Sequence, residues 1–385
     1  MGERWDKKGF MNFRFLKNLF SPDKKEERLS VLTLFVTTRC NSRCRTCFYW
    51  KNLNTDENPL TLGEYKKIAT DMIPFDHLIV TGGEPTLRQD LVEIVNVFIK
   101  TPSQGISMPT NGMMPEKINA IAREILNRFP ENRIIIGISL DGPRAMHDDL
   151  RGAIGSFDNA LKTLSLLAEL RINFKNLRLT PLITIHKENV SLLSEFIDTI
   201  ARDLPVDYIT IEPIRGSPQD PNLQPPGAPL LRSIQANVLE KNLELLSKSS
   251  PEEATDILSY HIETYKLQLY ALEHQKMNFH CQAGVTVGVL EPDGEVRICE
   301  LFDAIGNVRD NDYSFRKVWH NRKAEEQRRR IASGGCWCTH CINLGHSIPF
   351  LPDLSQKRIE TRNFLEQNIK TSAKIDFLKL LEPSS

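Results

Sequence analysis

The sequence has no long apolar run, no excess charge of either sign and no cysteines scattered as pairs along the chain. Without roughly 18 to 20 consecutive apolar residues a membrane-spanning helix is not expected, and residues 1–10 lack the apolar core of a signal peptide. The 49 basic and 49 acidic side chains cancel, which disfavours nucleic-acid binding as the main task. With 40% apolar and 25% charged residues, the composition is that of a globular protein. We therefore expect a cytoplasmic protein with a large core.

The eight cysteines fall into two groups. The first group is Cys40, Cys44 and Cys47, and the second group is Cys281, Cys299, Cys336, Cys338 and Cys341. Because a reducing compartment disfavours disulfides, such grouping indicates metal binding. Each group is thus a candidate metal site.

Six short runs rich in β-branched residues alternate with segments of helical period. The runs are residues 31–38, 77–81, 105–110, 133–140, 177–185 and 207–214, and the helical segments include 87–100 and 191–204. Repeated βα units with strands that are apolar on both faces indicate a parallel sheet covered by helices. A closed eight-fold barrel usually needs about 250 residues, so the sequence predicts an α/β fold with a partial (β/α)6 TIM-like barrel. Ligands of such a sheet bind at the carboxyl ends of its strands.

The pattern changes after residue 215. Residues 216–229 are rich in proline and glycine and predict a loop, a helical stretch follows, and residues 284–301 predict a hairpin. We therefore divide the chain into an N-terminal amphipathic segment, the barrel, a loop with a helical linker, a small α+β auxiliary domain and a helical tail. Their bounds are 1–30, 31–215, 216–278, 279–350 and 351–385.

The first cysteine group lies in the loop directly after the first predicted strand, so three thiolates converge at the ligand-binding end of the sheet. Iron-sulfur clusters are usually held by four cysteines, and three cysteines leave one iron open to another ligand. An open metal position distinguishes a catalytic site from a structural one. The alternative is a structural zinc site completed by a histidine, although the nearest histidine in the sequence is His77.

The C-x3-C-x2-C spacing after the first strand, together with the TGGEP element of residues 81–85 after the second, resembles the radical S-adenosylmethionine (SAM) enzyme family. The resemblance implies that Cys40, Cys44 and Cys47 are the catalytic ligands of a [4Fe-4S] cluster, with SAM bound beside it. It also implies cofactor contacts from strand ends, at Gly82, Gly83, Glu84, Pro85, Asn111, Ser139 and Asp141. Family members often have an aromatic residue where this chain has Thr46, so adenine packing is expected from the backbone of Thr46 or from Phe48.

The same resemblance implies a reaction. One electron, from a donor such as flavodoxin or ferredoxin, splits SAM into methionine and a 5'-deoxyadenosyl radical that abstracts hydrogen from an unactivated carbon. The protein then positions the reactants and excludes water and stray hydrogen donors.

The second cysteine group resembles the C-terminal SPASM region, or its shortened twitch form, of many radical SAM enzymes. Its pattern of C-x17-C followed by C-x-C-x2-C predicts one auxiliary [4Fe-4S] cluster. The first choice of ligands is Cys281, Cys299, Cys338 and Cys341, with Cys336 as a spare. Structural zinc is the alternative, with His280 and His340 as further candidate ligands.

The auxiliary region favours a peptide or protein side chain as the substrate. A second hypothesis is a lipid, isoprenoid or other small molecule at the membrane surface, because residues 10–20 have the pattern of a basic amphipathic helix that suits peripheral membrane contact. The same helix would also suit capping the open end of the barrel, which we favour. A third hypothesis, of another class, is a non-catalytic zinc or iron-sulfur binding protein that leaves SAM intact.

Overall fold

The six apolar runs form six neighbouring strands, each parallel to the next. The computed structural model describes residues 27–55, 58–247 and 250–382, so the predicted N-terminal helix lies outside the described residues. The strands are β1 Leu29–Phe35, β2 Phe75–Thr81, β3 Gly105–Thr110, β4 Ile134–Ser139, β5 Leu177–Ile185 and β6 Thr210–Pro213. The predicted α/β fold of partial-barrel type is confirmed.

Helices cover this sheet, as the alternating sequence pattern predicts. Those of the βα units are α1 Leu62–Thr70, α2 Leu91–Phe98, α3 Pro115–Arg128, α4 Arg144–Arg151, α5 Ser156–Leu170 and α6 Val190–Asp203. All seven residues of β1 are buried, because the strand lies inside the sheet and carries apolar side chains on both faces. The residues that follow each strand are left at one open edge.

The hairpin predicted near residues 284–301 is present, but it does not form a sheet of its own. Its strands, with a third short strand, are β7 Val287–Leu290, β8 Glu295–Arg297 and β9 Gly306–Asn307. Strand β7 pairs in parallel with β1, and the strand order is β6-β5-β4-β3-β2-β1-β7-β8-β9. Since a strand edge left without a partner exposes backbone donors and acceptors, the hairpin completes the hydrogen bonding of β1. The second cysteine group is thereby joined to the barrel.

The helical stretch after residue 227 is divided in two, and further short helices follow the hairpin. The helices are α7 Ala228–Leu246, α8 Pro251–His274, α9 Phe315–Trp319, α10 Arg322–Ala332, α11 Cys341–Ser347, α12 Pro352–Lys370 and α13 Phe377–Leu380. Short 3-10 helices occur at Trp50–Asn52, Pro85–Leu87, Arg309–Asn311 and Ile348–Phe350. No helix in the described ranges is long and apolar enough to cross a membrane.

Candidate active site

All three cysteines of the first group line one cavity of about 200 Å³ at the carboxyl ends of the barrel strands. Most of the predicted cofactor-binding residues line it too, namely Thr46, Phe48, Gly82, Gly83, Glu84, Asn111 and Ser139. Pro85 and Asp141 are buried outside this lining. The topology of the sheet therefore gathers segments that are far apart in sequence around the cysteine loop.

The two glycines after β2 hold the cysteine loop in place. The backbone N–H of Gly83 donates to the carbonyl of Thr37 at 2.8 Å, and the N–H of Glu84 donates to the carbonyl of Arg39 at 2.8 Å. A Cβ on Gly83 would lie 2.4 Å from the Arg39 carbonyl oxygen, and one on Gly82 would lie 2.4 Å from the Thr37 oxygen. Glycine is required at both positions because this backbone touches the backbone of residues 37–39, which leads to Cys40.

The carboxylate of Glu84 is occupied by donors of the protein itself. Its Oε1 accepts from the backbone N–H of Thr86 and from the hydroxyls of Thr86 and Thr110, and its Oε2 accepts from the N–H of Asn111 at 2.8 Å. Burial raises the pKa of Glu84, while these hydrogen bonds act in the opposite direction. The side chain thus ties the end of β2 to the end of β3.

Asn111 continues this connection into the cysteine loop. Its Nδ2 donates to the Oδ1 of Asn41 at 2.7 Å and to the hydroxyl of Ser42 at 3.1 Å. Since both acceptors lie between Cys40 and Cys44, Asn111 fixes the loop that presents the thiols.

Arg151 is the main site residue that the sequence analysis missed. The guanidinium contacts Asp141 at 2.7 Å and points its other nitrogen toward the sulfur of Cys44 at 3.7 Å. Burial acts to lower the pKa of Arg151, but the charges of Asp141 and Cys44 outweigh this effect. The pKa of Arg151 is therefore raised, and the guanidinium stays positively charged. Arg151 ends α4, and its carbonyl accepts from the N–H of Arg43; this docking of a helix end has no short-range sequence signal.

The surroundings of the thiols fit an anionic iron-sulfur cluster. Burial raises the pKa of Cys40 to about 11 and, with the neighbouring charge of Cys44, raises the pKa of Cys47 to about 12, so a bound cation must displace their protons. Arg151 supplies positive charge beside them. Within the described ranges, no three His, Cys, Asp or Glu side chains already surround one point as ligands of a single ion would.

Ion pairs connect this cavity to the second cysteine group. Arg215 lines the cavity, lies 4.7 Å from the ring centroid of Phe48 and contacts Glu212 at 3.1 Å and Glu300 at 3.0 Å. His340 lies 3.5 Å from Glu300. Since Glu300 directly follows Cys299 in the chain, Arg215 links the cavity lining to the second group.

The second group is not gathered as one set of five. Burial raises the pKa of Cys338, and the charges of Cys299, Cys281 and Cys336 raise it further. The sulfur of Cys341 instead donates to Oε2 of Glu212 at 3.1 Å.

Comparison with known proteins agrees with this geometry. The Radical SAM superfamily model matches residues 34–200, which contain the first cysteine group and β2 to β5. Residues 34–200 are therefore similar to the radical SAM domain, and the homologues that carry this domain are enzymes. The [4Fe-4S] cluster and SAM predicted from the sequence are the cofactors of the family.

Two curated relatives extend the similarity beyond that domain. Fe-coproporphyrin III synthase of Methanosarcina barkeri is 27% identical over 321 residues, covering 78% of this chain and 75% of the relative. Mycofactocin maturase MftC of Mycobacterium tuberculosis is 28% identical over 325 residues, covering 82% of this chain and 75% of the relative. Since 82% of 385 residues is about 316, the second match reaches beyond Cys281. The predicted resemblance to maturases with a SPASM or twitch region, which carry auxiliary clusters, is confirmed.

Solved structures show the same fold. The anSMEcpe structure with bound AdoMet has a TM-score of 0.54 at 16% identity, covering 90% of this chain and all of that chain. Streptococcus suis SuiB bound to S-adenosylmethionine has a TM-score of 0.54 at 14% identity, covering 79% of this chain and 68% of that one.

Proposed function

We propose that this chain is a radical SAM enzyme that modifies a peptide or protein side chain, with Cys40, Cys44 and Cys47 as the ligands of its catalytic cluster. The observation that carries the proposal is the shared cavity, in which three thiols face the ends of the barrel strands. When bound, the cluster and SAM supply the one-electron cleavage that creates a hydrogen-abstracting radical. The residues of the chain hold and shield these reactants.

The cavity wall offers a partner for each polar part of SAM. The Arg151 guanidinium suits the carboxylate, because a guanidinium forms charge-assisted hydrogen bonds to carboxylates. Backbone carbonyls at Thr81 and Gly82 suit the ammonium group, since the Glu84 carboxylate already accepts four hydrogen bonds from the protein. Hydroxyls at the ends of β4 and β5, from Ser139 and Thr184, suit the ribose.

Phe48 is the proposed apolar contact for adenine. Its ring lines the cavity, and the Arg215 guanidinium lies over the ring, 4.7 Å from its centroid. Thr46 lines the same cavity, so its backbone is the second candidate contact. The second cysteine group holds one auxiliary [4Fe-4S] cluster in this proposal.

Relatives support a peptide or protein substrate. MftC is a maturase, one SuiB structure is bound to the precursor peptide SuiA, and one anSMEcpe structure contains a peptide. A second candidate is an iron porphyrin reaction, because Fe-coproporphyrin III synthase is similar to 78% of the chain. For either substrate, we expect the carbon that loses a hydrogen atom to lie at this cavity.

Anaerobic reconstitution tests the proposal. We expect about eight irons per chain and, after addition of dithionite and SAM, 5'-deoxyadenosine detected by mass spectrometry. Cys44→Ala should abolish 5'-deoxyadenosine while retaining the about four irons of the auxiliary cluster. Zinc in place of iron, or cleavage that persists in Cys44→Ala, would refute the site assignment.

The substrate class is tested in the same assay. Candidate peptides encoded beside the gene and an iron coproporphyrin precursor are added separately, and each product is analysed by mass spectrometry. A mass change in a peptide that depends on SAM and Cys44 supports the first candidate. A change in the porphyrin alone would replace it with the second. Flavodoxin or ferredoxin in place of dithionite tests the proposed electron donor.

A further inference from the structure

The proline-rich loop of residues 216–229, which follows β6, lies against the catalytic cysteine loop. The backbone N–H of Gln219 donates to the carbonyl of Cys47 at 3.0 Å, and the N–H of Asp220 donates to the carbonyl of Arg45 at 2.9 Å. Two consecutive residues of one loop therefore bind the backbone of the other loop at and beside its third cysteine.

The side chain of Gln219 adds a further connection. Its amide nitrogen donates to the carbonyl of Cys44 at 2.9 Å and to that of Arg43 at 3.3 Å. The carbonyl of Cys44 also accepts from the N–H of Cys47 at 3.1 Å, which closes the turn between the second and third cysteines. Gln219 is exposed, so its place against this turn is set by hydrogen bonds and not by burial in a core.

The other edge of the cysteine loop is held by the end of α4. The N–H of Arg43 donates to the carbonyl of Arg151 at 3.1 Å, and the N–H of Arg45 donates to the carbonyl of Leu150 at 2.9 Å. The loop is thus paired on both edges, with N–H groups bound to α4 and carbonyls bound to residues 219–220. Such pairing satisfies backbone groups that regular secondary structure does not reach.

The side chain of Arg45 connects the two edges. Its guanidinium donates to Oδ2 of Asp220 at 2.7 Å and to Oδ2 of Asp149, on α4, at 2.7 Å. Because partly exposed ion pairs contribute little to stability, the main effect of this contact is on geometry. It fixes the distance between α4 and the loop that carries Gln219.

We propose that Gln219 is a positioning residue of the catalytic cluster, which fixes the turn from Cys44 to Cys47 and with it the direction of their thiolates. This inference rests on the proposed function, since it presupposes a cluster on these cysteines. Outer contacts that orient metal ligands are worth about 10-fold to 100-fold in metal affinity or activity. Hydrogen bonds and dipoles around a cluster also set its reduction potential.

The test compares Gln219→Ala with Gln224→Ala. Gln224 is the matched control because it is an exposed residue of the same loop, and its side chain donates within that loop to the carbonyl of Pro221 at 2.9 Å. After anaerobic reconstitution, iron is counted and the formation of 5'-deoxyadenosine is timed. The reduction potential of the catalytic cluster is measured by electron paramagnetic resonance, from the signal that changes when SAM is added.

Gln219→Ala should keep about eight irons but form 5'-deoxyadenosine about tenfold more slowly. Its catalytic cluster should have a lower reduction potential, because the positive end of an amide dipole, which favours the added electron, is lost. Gln219→Lys keeps a nitrogen donor at the end of a long side chain and should recover most of the rate. Gln224→Ala should match the wild type in all three measurements.

A second measurement needs no metal. The iron-free full-length chain is treated with trypsin, and cleavage after Arg43 is timed by mass spectrometry. Because cleavage requires local opening of the backbone, loss of the amide that binds the Arg43 carbonyl should speed this cut about fivefold in Gln219→Ala. The same cut should be unchanged in Gln224→Ala.

Equal cleavage of SAM, reduction potential and trypsin sensitivity in Gln219→Ala and Gln224→Ala would overturn the positioning role and leave the proposed function standing. Gln219→Lys that is as slow as Gln219→Ala would also overturn it, because the donor would then not be the cause. A wild-type chain that forms no 5'-deoxyadenosine would instead refute the proposed function, and the trypsin rates would still show whether Gln219 holds the loop. The two failures are therefore distinguishable.

Discussion

Arg151 and Asp141 form a buried ion pair, with 2.7 Å between the guanidinium nitrogen and the carboxylate oxygen. Asp141 is fully buried, and its other oxygen accepts from the backbone N–H of Thr184 at 2.8 Å. The pair fixes the orientation of a guanidinium whose free side faces Cys44. Asp141 does not line the cavity itself, and it therefore acts on the cavity through Arg151.

Arg151→Lys should weaken SAM binding by about tenfold, or about 1.4 kcal/mol. A lysine has a single nitrogen and cannot contact Asp141 and a ligand carboxylate with two arms of one planar group. Equilibrium binding of SAM to the anaerobically reconstituted protein measures the effect. Arg144→Lys, on the exposed side of the same helix, is the matched control and should bind as the wild type does. Equal affinities in both variants would contradict the role of Arg151.

Gly83→Ala should displace the cysteine loop and lower the iron content by about four per chain. The added Cβ would lie 2.4 Å from the Arg39 carbonyl oxygen and 2.8 Å from that of Thr38, and these backbone atoms cannot move without moving Cys40. Iron analysis after reconstitution gives the result. Gly63→Ala is the control, because a Cβ there meets its nearest atom at 3.8 Å and alanine favours the helix. A full iron content in Gly83→Ala would show that the backbone contact at Gly83 does not control the position of the cysteine loop.

Glu84→Gln should lower the free energy of unfolding by about 2 kcal/mol. The glutamine NH2 group would face either the N–H of Asn111 or the donors of Thr86 and Thr110, which leaves buried donors without an acceptor. The midpoint of thermal unfolding under anaerobic conditions reports the change. Glu124→Gln, at an exposed ion pair on α3, should shift the midpoint far less. Comparable midpoints for the two variants would show that Glu84 is not a structural tie.

Glu291 should make stability depend on pH. Burial raises its pKa to about 7, against the opposing effects of the Tyr49 hydroxyl and of Arg297. The carboxyl of the unfolded chain has a pKa near 4.5. Between pH 4.5 and pH 7 the native state therefore binds more protons than the unfolded state. The free energy of unfolding falls by up to about 3 kcal/mol as the pH rises through this range. Below pH 4.5 this penalty is absent.

Glu291→Gln should remove this component. The difference in thermal midpoint between variant and wild type should move in favour of the variant as the pH rises from 5 to 8. Tyr49→Phe deletes the 2.7 Å hydrogen bond to Oε2, which raises the pKa of Glu291 further and shifts the loss of stability to higher pH. Parallel pH profiles for wild type and Glu291→Gln would exclude Glu291 as the source.

Much of the barrel could be predicted because its signals are local. The runs at 105–110 and 177–185 coincide with β3 and β5, since strands covered on both faces are rich in apolar residues. The position of the hairpin in the sheet could not be predicted from local signals. The pattern at residues 284–301 shows two strands, but only the edge of β1 decides that β7 pairs there.

The site shows the same division. Cys40, Cys44 and Cys47 were recognisable because one loop carries all three at a fixed spacing. Arg151 was not, since it reaches the cavity only when α4 docks against the cysteine loop. The second cysteine group is a similar case, because no local pattern predicts that the sulfur of Cys341 contacts Glu212.

The sequence by itself determined the alternation of strands and helices, the family and the cysteine loop, because periodicity and short motifs act over a few residues. The tertiary structure decided which side chains share the cavity, that Glu84 serves the scaffold, and that Cys341 faces Glu212. Those outcomes depend on contacts between segments far apart in the sequence, such as the contact of Glu212 in β6 with Cys341 in α11, which are 129 residues apart. No local pattern encodes them, because each partner gains its role only when packing brings the other within hydrogen-bonding distance.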